Sequence, residues 1–201
     1  MEQLQAIKKP SFSGHETFPL RHGWLEKAYH AVAKSSTNPF LEDKAISEFG
    51  VGKNMVSAIK YWSLATGFIQ PEEEGLKVST LSEALIGRGA DPYLESTDSI
   101  WKLHFELVRN SKNTTAHWFF SYFNENVFDR TLVLTRIKEF LRLNEIKLPA
   151  EKTLLTDVNV TLANYCSPSS MNRREDDIGS PLSELNLVRR GEDNRYLLNF
   201  G

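Results

Sequence analysis

Leu41 to Val78 reads LEDKAISEFGVGKNMVSAIKYWSLATGFIQPEEEGLKV, and its punctuation decides the fold. Gly50-Val51-Gly52 marks a sharp turn, because two glycines permit positive φ. Upstream, Leu41 to Phe49 predicts a short helix. Downstream, Lys53 to Ala65 predicts a second. Its apolar positions Met55, Val56, Ile59, Trp62 and Leu64 fall mostly along one face. Lys53, Asn54, Ser57 and Lys60 line much of the other. Gly67 stands where a helix C′ residue belongs. Phe68-Ile69, an acidic turn from Glu72 to Gly75, and Leu76-Lys77-Val78 then predict a small β-hairpin. Leu81 to Ile86 reads as a further helical turn. Helix, glycine turn, helix, hairpin is the order of a winged helix-turn-helix.

The last part of the chain repeats that order. Thr131 to Leu143 predicts a helix with Val133, Leu134, Ile137, Phe140 and Leu141 inward, and Leu148-Pro149 breaks it. Glu151 to Tyr165 predicts the next, with Leu154, Leu155, Val158, Leu162 and Tyr165 inward. Pro168 to Gly179 is a polar, mixed-charge loop, and Leu182 to Leu187 a short helix. Val188-Arg189-Arg190 and Arg195-Tyr196-Leu197-Leu198 flank Gly191 to Asn194, a good hairpin turn and a second wing. Before these, Ser99 to Val108 and the aromatic stretch Thr115 to Asn124 read as helices of a central core. At the start, Thr17 or a neighbour caps a helix with Pro19 in its first turn. That helix runs through Leu20, Trp24, Leu25, Ala28, Tyr29 and Val32 to about Lys34. The expectation is a mostly α fold with short β-hairpins. Two winged-helix-turn-helix-like lobes, 40–90 and 129–201, are joined by a helical middle section, 91–128. An opening motif and helix, 1–39, precede them.

Composition narrows the classes. With 201 residues the chain can bury a real core without staples. One cysteine excludes an intrachain disulfide framework and any Cys-only zinc site. Apolar content of 40% and charged content of 25% are those of an ordinary globular chain, which argues against wholesale disorder. No apolar run approaches the ~20 residues that span a bilayer. Met1 to Pro10 lacks the apolar core of a signal peptide, so the expected location is cytoplasmic. A net charge of −2 leaves room for a local basic face.

Two basic faces stand out as DNA-binding candidates. Lys53 and Asn54 sit at a helix N-terminus, where free amides and the dipole attract phosphate, and Ser57 and Lys60 extend that face. Lys152, Thr156 and Asn159 form an outward face of the second long helix, opposed by Glu151 and Asp157. Arg189, Arg190 and Arg195 make the second hairpin basic. Chemistry is suggested at one place, His15-Glu16 with Arg21 and His22. A histidine and a carboxylate can act as general base and metal ligand in phosphodiester cleavage, and an arginine can steady developing charge. The spacing is not that of a zinc peptidase. The competing reading makes Glu16 a helix cap and His15 a buried, hydrogen-bonded side chain. His104 and His117 read as core or surface residues. Asp176-Asp177, after Arg173-Arg174-Glu175, reads as a solvated loop rather than a metal site. Trp118 to Phe123 reads as core rather than a base-stacking platform.

The blocks also resemble a known family. Ser13-Gly14-His15-Glu16-Thr17-Phe18, Arg21 and Gly23-Trp24-Leu25 resemble the opening motif of a bacterial domain-of-unknown-function family. That family includes the B protein of the Ssp system of DNA phosphorothioation and phage defence. Phe49 to Val56 with Tyr61-Trp62 looks like its second block, and Asp91-Pro92-Tyr93-Leu94 with Trp101 and Leu103-His104 its third. Glu151 to Leu154 with Asp157-Val158, then Ser180-Pro181-Leu182 with Glu184-Leu185, resemble the fourth and fifth. The resemblance implies a double-stranded DNA-binding component of a restriction-modification-like defence system, with strand nicking as the implied chemistry. A nickase would need Mg or Mn and would draw on His15, Glu16 and Arg21. Implied protein partners are a phosphosulfate-reductase-like enzyme and an ATPase. The alternatives are a protein–protein adaptor for those enzymes and a stand-alone winged-helix transcription regulator.

Overall fold

The opening motif does not start a helix. In the computed structural model, which describes residues 10–35, 38–41, 43–166 and 179–199, Ser13, Glu16 and Thr17 all adopt positive φ. The segment 13–17 is a run of turns, and α1 (Trp24–Lys34) begins only after Gly23 at φ +76°. The capping role expected of Thr17 and the helical position expected of Pro19 are thus overturned. Tertiary hydrogen bonds hold this stretch against other helices, and those bonds compete successfully with local propensity.

From Asp43 the observed order follows the sequence closely. Helix α2 (Asp43–Phe49) ends at Gly50, whose φ of +65° turns the chain. Helix α3 (Lys53–Ala65) ends at Gly67, φ +67°. There the Phe68 amide donates to the Ser63 carbonyl at 2.8 Å and the Gly67 amide to Leu64 at 3.2 Å, a Schellman closure. Strands β1 (Ile69–Glu72) and β2 (Gly75–Val78) pair antiparallel, Ile69 opposite Val78 and Glu72 opposite Gly75. Ser79 and Ser82 form a reciprocal capping box on the short α4 (Thr80–Ser82). The chain continues as a π-helical turn, Glu83–Gly87. Glu83 accepts from the Tyr29 hydroxyl at 2.8 Å and ties this turn to α1.

The middle and end interlock. Helix α5 (Thr97–Arg109) packs on α6 (Thr114–Tyr122) and on a 3₁₀ turn, Pro181–Leu185, and α8 (Glu151–Tyr165) packs on both α6 and that turn. Helix α7 (Arg130–Leu143) is capped by Asp129, whose carboxylate accepts from the Leu132 amide at 2.8 Å. The expected second hairpin is present as β4 (Val188–Arg190) and β5 (Tyr196–Leu198), but it belongs to a three-stranded sheet. The third strand, β3 (Val127–Phe128), pairs with β5 in the order β3-β5-β4. A ladder of rings crosses from α6 into that sheet: Phe119 to Phe128 at 5.6 Å, then Phe128 stacked on Tyr196 at 5.6 Å and 17°. The aromatic stretch is therefore core, with Trp118, Phe119 and Phe123 buried.

The architecture is mostly helical with small antiparallel hairpins. One cluster of buried side chains draws on all four sequence segments, from Leu20 through Trp62 and Leu103 to Leu198. Two face assignments are corrected on α8. Leu155, expected inside, is 37% exposed, and Asp157, expected outside, is buried. The polar loop 168–178, including Arg173, Arg174, Glu175, Asp176 and Asp177, lies outside the described residues.

Candidate nucleic-acid interface and opening motif

The first expected contact set lies at the start of α3. Lys53, Asn54 and Ser57 are exposed, and Lys60 is half-buried. Gly52 offers no side chain to cap the first-turn amides, so those donors remain available to an anion. The neighbouring hairpin carries opposite charge: Glu72, Glu73 and Glu74 at its tip are all exposed. Carboxylates there repel a polyanion, so α3 and not this hairpin is the basic element of the first unit.

The second set divides. Lys152 is exposed at the start of α8, but Thr156 is half-buried and donates its hydroxyl to the Lys152 carbonyl at 2.8 Å. Asn159 is also half-buried, and its Oδ1 has no hydrogen-bond partner. Arg189, Arg190 and Arg195 are exposed on the β4–β5 hairpin. Arg189 lies opposite Leu197, which lies opposite Val127. Val127 is 49% and Leu197 42% exposed, so this outer face of the sheet is a short apolar stripe ending in a guanidinium. Arg190 lies opposite Tyr196, and the Arg130 guanidinium sits 5.8 Å from the Tyr196 ring centre. Arg130 and Arg190 thus both neighbour that tyrosine, one by its guanidinium and one by strand register. They also pull down on the Cys166 thiol, but burial outweighs them and pushes it up to about 11. Among the described residues the Lys and Arg ion pairs use Lys77, Arg109, Arg136 and Lys138. Among those described residues Lys53, Lys60, Lys152, Arg130, Arg189, Arg190 and Arg195 form no ion pair.

Arg130 is a residue that sequence reading passed over. One signal was present: a cation in the first turn of α7 opposes the helix dipole, so helix stability does not account for it.

The opening motif is a strap. His15 is 4% exposed, and both ring nitrogens are engaged. Nδ1 accepts from the Thr17 amide at 3.2 Å, which places the proton on Nε2, and Nε2 donates to Asp157 Oδ1 at 3.0 Å. The same oxygen accepts from the Ser13 amide at 2.9 Å, and Thr115 reaches Oδ2 at 3.4 Å. The imidazole lies nearly parallel to Trp62, 6.2 Å between centres, and edge-on to Tyr61 at 5.8 Å. Burial, and then the negative Asp157, push the Tyr61 phenol well above its ordinary range. Trp62 Nε1 donates to the Phe18 carbonyl at 2.9 Å, and the Leu20 amide to Asn164 at 2.8 Å. A Cβ on Gly14 would stand 2.5 Å from the Tyr61 ring, so the glycine permits this close approach.

The other residues of the chemical expectation lie apart from that pair. Glu16 is exposed and bonds neither His15 nor Arg21. The Arg21 guanidinium sits 5.7 Å from both the Phe18 and Trp24 rings. His22 reaches Glu184 at 3.6 Å. His104 is buried with Nδ1 2.8 Å from the Tyr165 hydroxyl, and burial lowers its pKa to about 4. His117 Nδ1 meets the Val108 carbonyl at 2.6 Å.

This strap is built from the residues that made the sequence familiar. The sequence profile described as "Protein of unknown function (DUF4007)" matches residues 12–201. The chain belongs to that family. Two solved structures share its fold over nearly its whole length. A magnesium ion-bound SspB crystal structure is 29% identical with a TM-score of 0.83, and 99% of this chain covers 63% of that one. A second SspB crystal structure is 30% identical at the same TM-score, with 98% and 63% covered. The chain thus spans under two thirds of the SspB chains it matches. No curated protein matches it.

Among the described residues, no three His, Cys, Asp or Glu side chains converge as a metal site would require. His15 is already held by Thr17 and Asp157. With Glu16 and Arg21 apart from it, the His15 site does not fit a resident Mg²⁺ or Mn²⁺.

Proposed function

We propose that this chain is a double-stranded DNA-contacting part of a bacterial phosphorothioation and phage-defence protein. The likeness to SspB over 99% of the chain supports the setting. The observation that carries DNA contact is the arginine group around the second hairpin: Arg130, Arg189, Arg190 and Arg195 are exposed and form no ion pair among the described residues. Exposed guanidiniums along a hairpin suit phosphate and minor-groove contact. Lys53, Asn54, Ser57 and Lys60 on α3 form the other contact set, with Lys152 as an outlying cation. On this reading 40–90 and 129–201 act as winged-helix-like units. The acidic tip of the first hairpin keeps that wing off the DNA.

The protein partners belong to the same proposal. A phosphosulfate-reductase-like enzyme and an ATPase would dock elsewhere on the chain, with DNA held by the basic faces. The adaptor alternative predicts tight association with such an enzyme and no salt-dependent DNA binding. The regulator alternative predicts a defined operator.

Nicking by His15, Glu16 and Arg21 is the second reading: one similar SspB structure is magnesium ion-bound, but here Glu16 and Arg21 stand apart from the His15–Asp157 pair. Supercoiled plasmid incubated with the protein in Mg²⁺, Mn²⁺ or EDTA separates the two. The expected result is a mobility shift that protease digestion reverses, without open circles. Open circles that survive digestion, need metal and vanish with Glu16→Ala would replace this proposal with the nickase.

A further inference from the structure

A cavity of about 350 Å³ lies between α3, the first hairpin and the loop before α6. It has no part in the DNA reading. Its walls are largely apolar: Leu64 from α3, Ile69 and Pro71 from β1, and the ring of Tyr61. One end is polar, made of Asn110, Lys112 and Asn113, and Ser11 and Gln70 also line the cavity. That size and lining are those of a small-molecule site.

The polar end is rigidly built. Asn110 Nδ2 donates to the Ala65 carbonyl at 3.2 Å, which pins the loop to α3. Asn110 Oδ1 accepts from the Lys112 amide at 3.1 Å, and the Asn110 carbonyl accepts from the Asn113 amide at 2.8 Å. The loop is thereby fixed before any ligand arrives. Asn113 is 5% exposed, yet its Nδ2 has no hydrogen-bond partner. A buried amide donor left unpaired is destabilising. Asn113 is also the N-cap residue of α6, but its side chain makes no cap bond. Lys112 is exposed and forms no ion pair among the described residues. An ammonium, an unpaired amide donor and an uncapped helix N-terminus all meet at one end. All three want an acceptor, and a negative one best.

We infer that this cavity binds a nucleoside monophosphate, with its phosphate at Lys112, Asn113 and the start of α6 and its base between Tyr61, Leu64 and Pro71. The donors select the anion, and the apolar walls select a flat, weakly polar body. The same chemistry is offered by a free nucleotide and by the 5′-phosphorylated end of a DNA strand.

Binding of dAMP, deoxyadenosine and the 5′-phosphorylated dinucleotide pdApdA to the full chain tests the inference, read by calorimetry. Saturable binding of dAMP and none of deoxyadenosine is expected. A dinucleotide that binds tighter than dAMP assigns the site to strand ends, and the reverse order to free nucleotide. Lys112→Ala should weaken dAMP roughly tenfold. Asn113→Asp is the decisive variant, because aspartate is a good N-cap and keeps α6 folded while it repels phosphate. It should abolish dAMP binding while the helical circular dichroism is kept. No saturation by about 10 mM dAMP, where binding is weaker than about −3 kcal/mol, overturns the inference. So does binding that Asn113→Asp leaves intact.

Discussion

Asp157 satisfies a histidine 142 residues away in the chain, together with the Ser13 amide and the Thr115 hydroxyl. Removing it leaves buried donors without an acceptor, each costing about 1–3 kcal/mol. Asp157→Ala should therefore lower the unfolding free energy by about 3 kcal/mol in urea denaturation. Asp157→Asn, which keeps one acceptor oxygen, should cost less. Glu16→Ala, at an exposed position, should change stability by no more than about 0.5 kcal/mol. A neutral Asp157→Ala would remove the strap from this account. His104 makes stability depend on pH. Its folded pKa of about 4 lies below the ordinary 6.5, so between these values the unfolded chain binds the extra proton. Stability is fully present above pH 6.5 and falls as pH drops toward 4, by up to about 3 kcal/mol. Denaturation at pH 7 and pH 4.5 reads this, and His104→Phe should flatten that interval. At this scale the sequence marked His15 through its motif but hid its partner. Helical period placed Leu154, Val158 and Leu162 inward and left Asp157 among the outward charges, because periodicity cannot see a polar residue buried with a partner.

At the scale of elements, glycines carried most of what could be read. Gly50, Gly52 and Gly67 bound α2 and α3 where their positions implied, and the Glu72–Gly75 turn closes the first hairpin as its composition suggested. Strand β3 was not legible, since two residues carry no alternation to detect. The start of α1 was misplaced because Pro19 looks like a helix opener. Its actual neighbours are Phe18, whose carbonyl accepts from Trp62, and Leu20, whose amide is held by Asn164. The α3 face gives its own test. Lys53→Ala with Lys60→Ala should weaken binding of a labelled duplex several-fold at low salt, with the helical circular dichroism unchanged. Converting Glu72, Glu73 and Glu74 to glutamine together should tighten it, because three repelling charges beside α3 disappear. Unchanged affinity in both variants would take DNA off the first unit.

For the whole molecule, one continuous core links the strap, the first hairpin unit, the aromatic helix α6 and the three-stranded sheet. Its composition was legible from aromatic and aliphatic spacing. The arginine group was only partly so, because Arg130 arrives from another element, on α7, and neighbours Arg190 only in the folded chain. On the proposed function, these guanidiniums hold DNA phosphates. The measurement that tests it most directly is fluorescence anisotropy of a labelled duplex across a salt series, for the native chain and for Arg130→Gln with Arg190→Gln. Each phosphate contact adds about 0.9 to the slope of log affinity against log salt. The double variant should bind more weakly at every salt concentration and lose about 1.8 from that slope. A duplex affinity with no salt dependence, or one whose slope the two substitutions leave unchanged, would contradict the account.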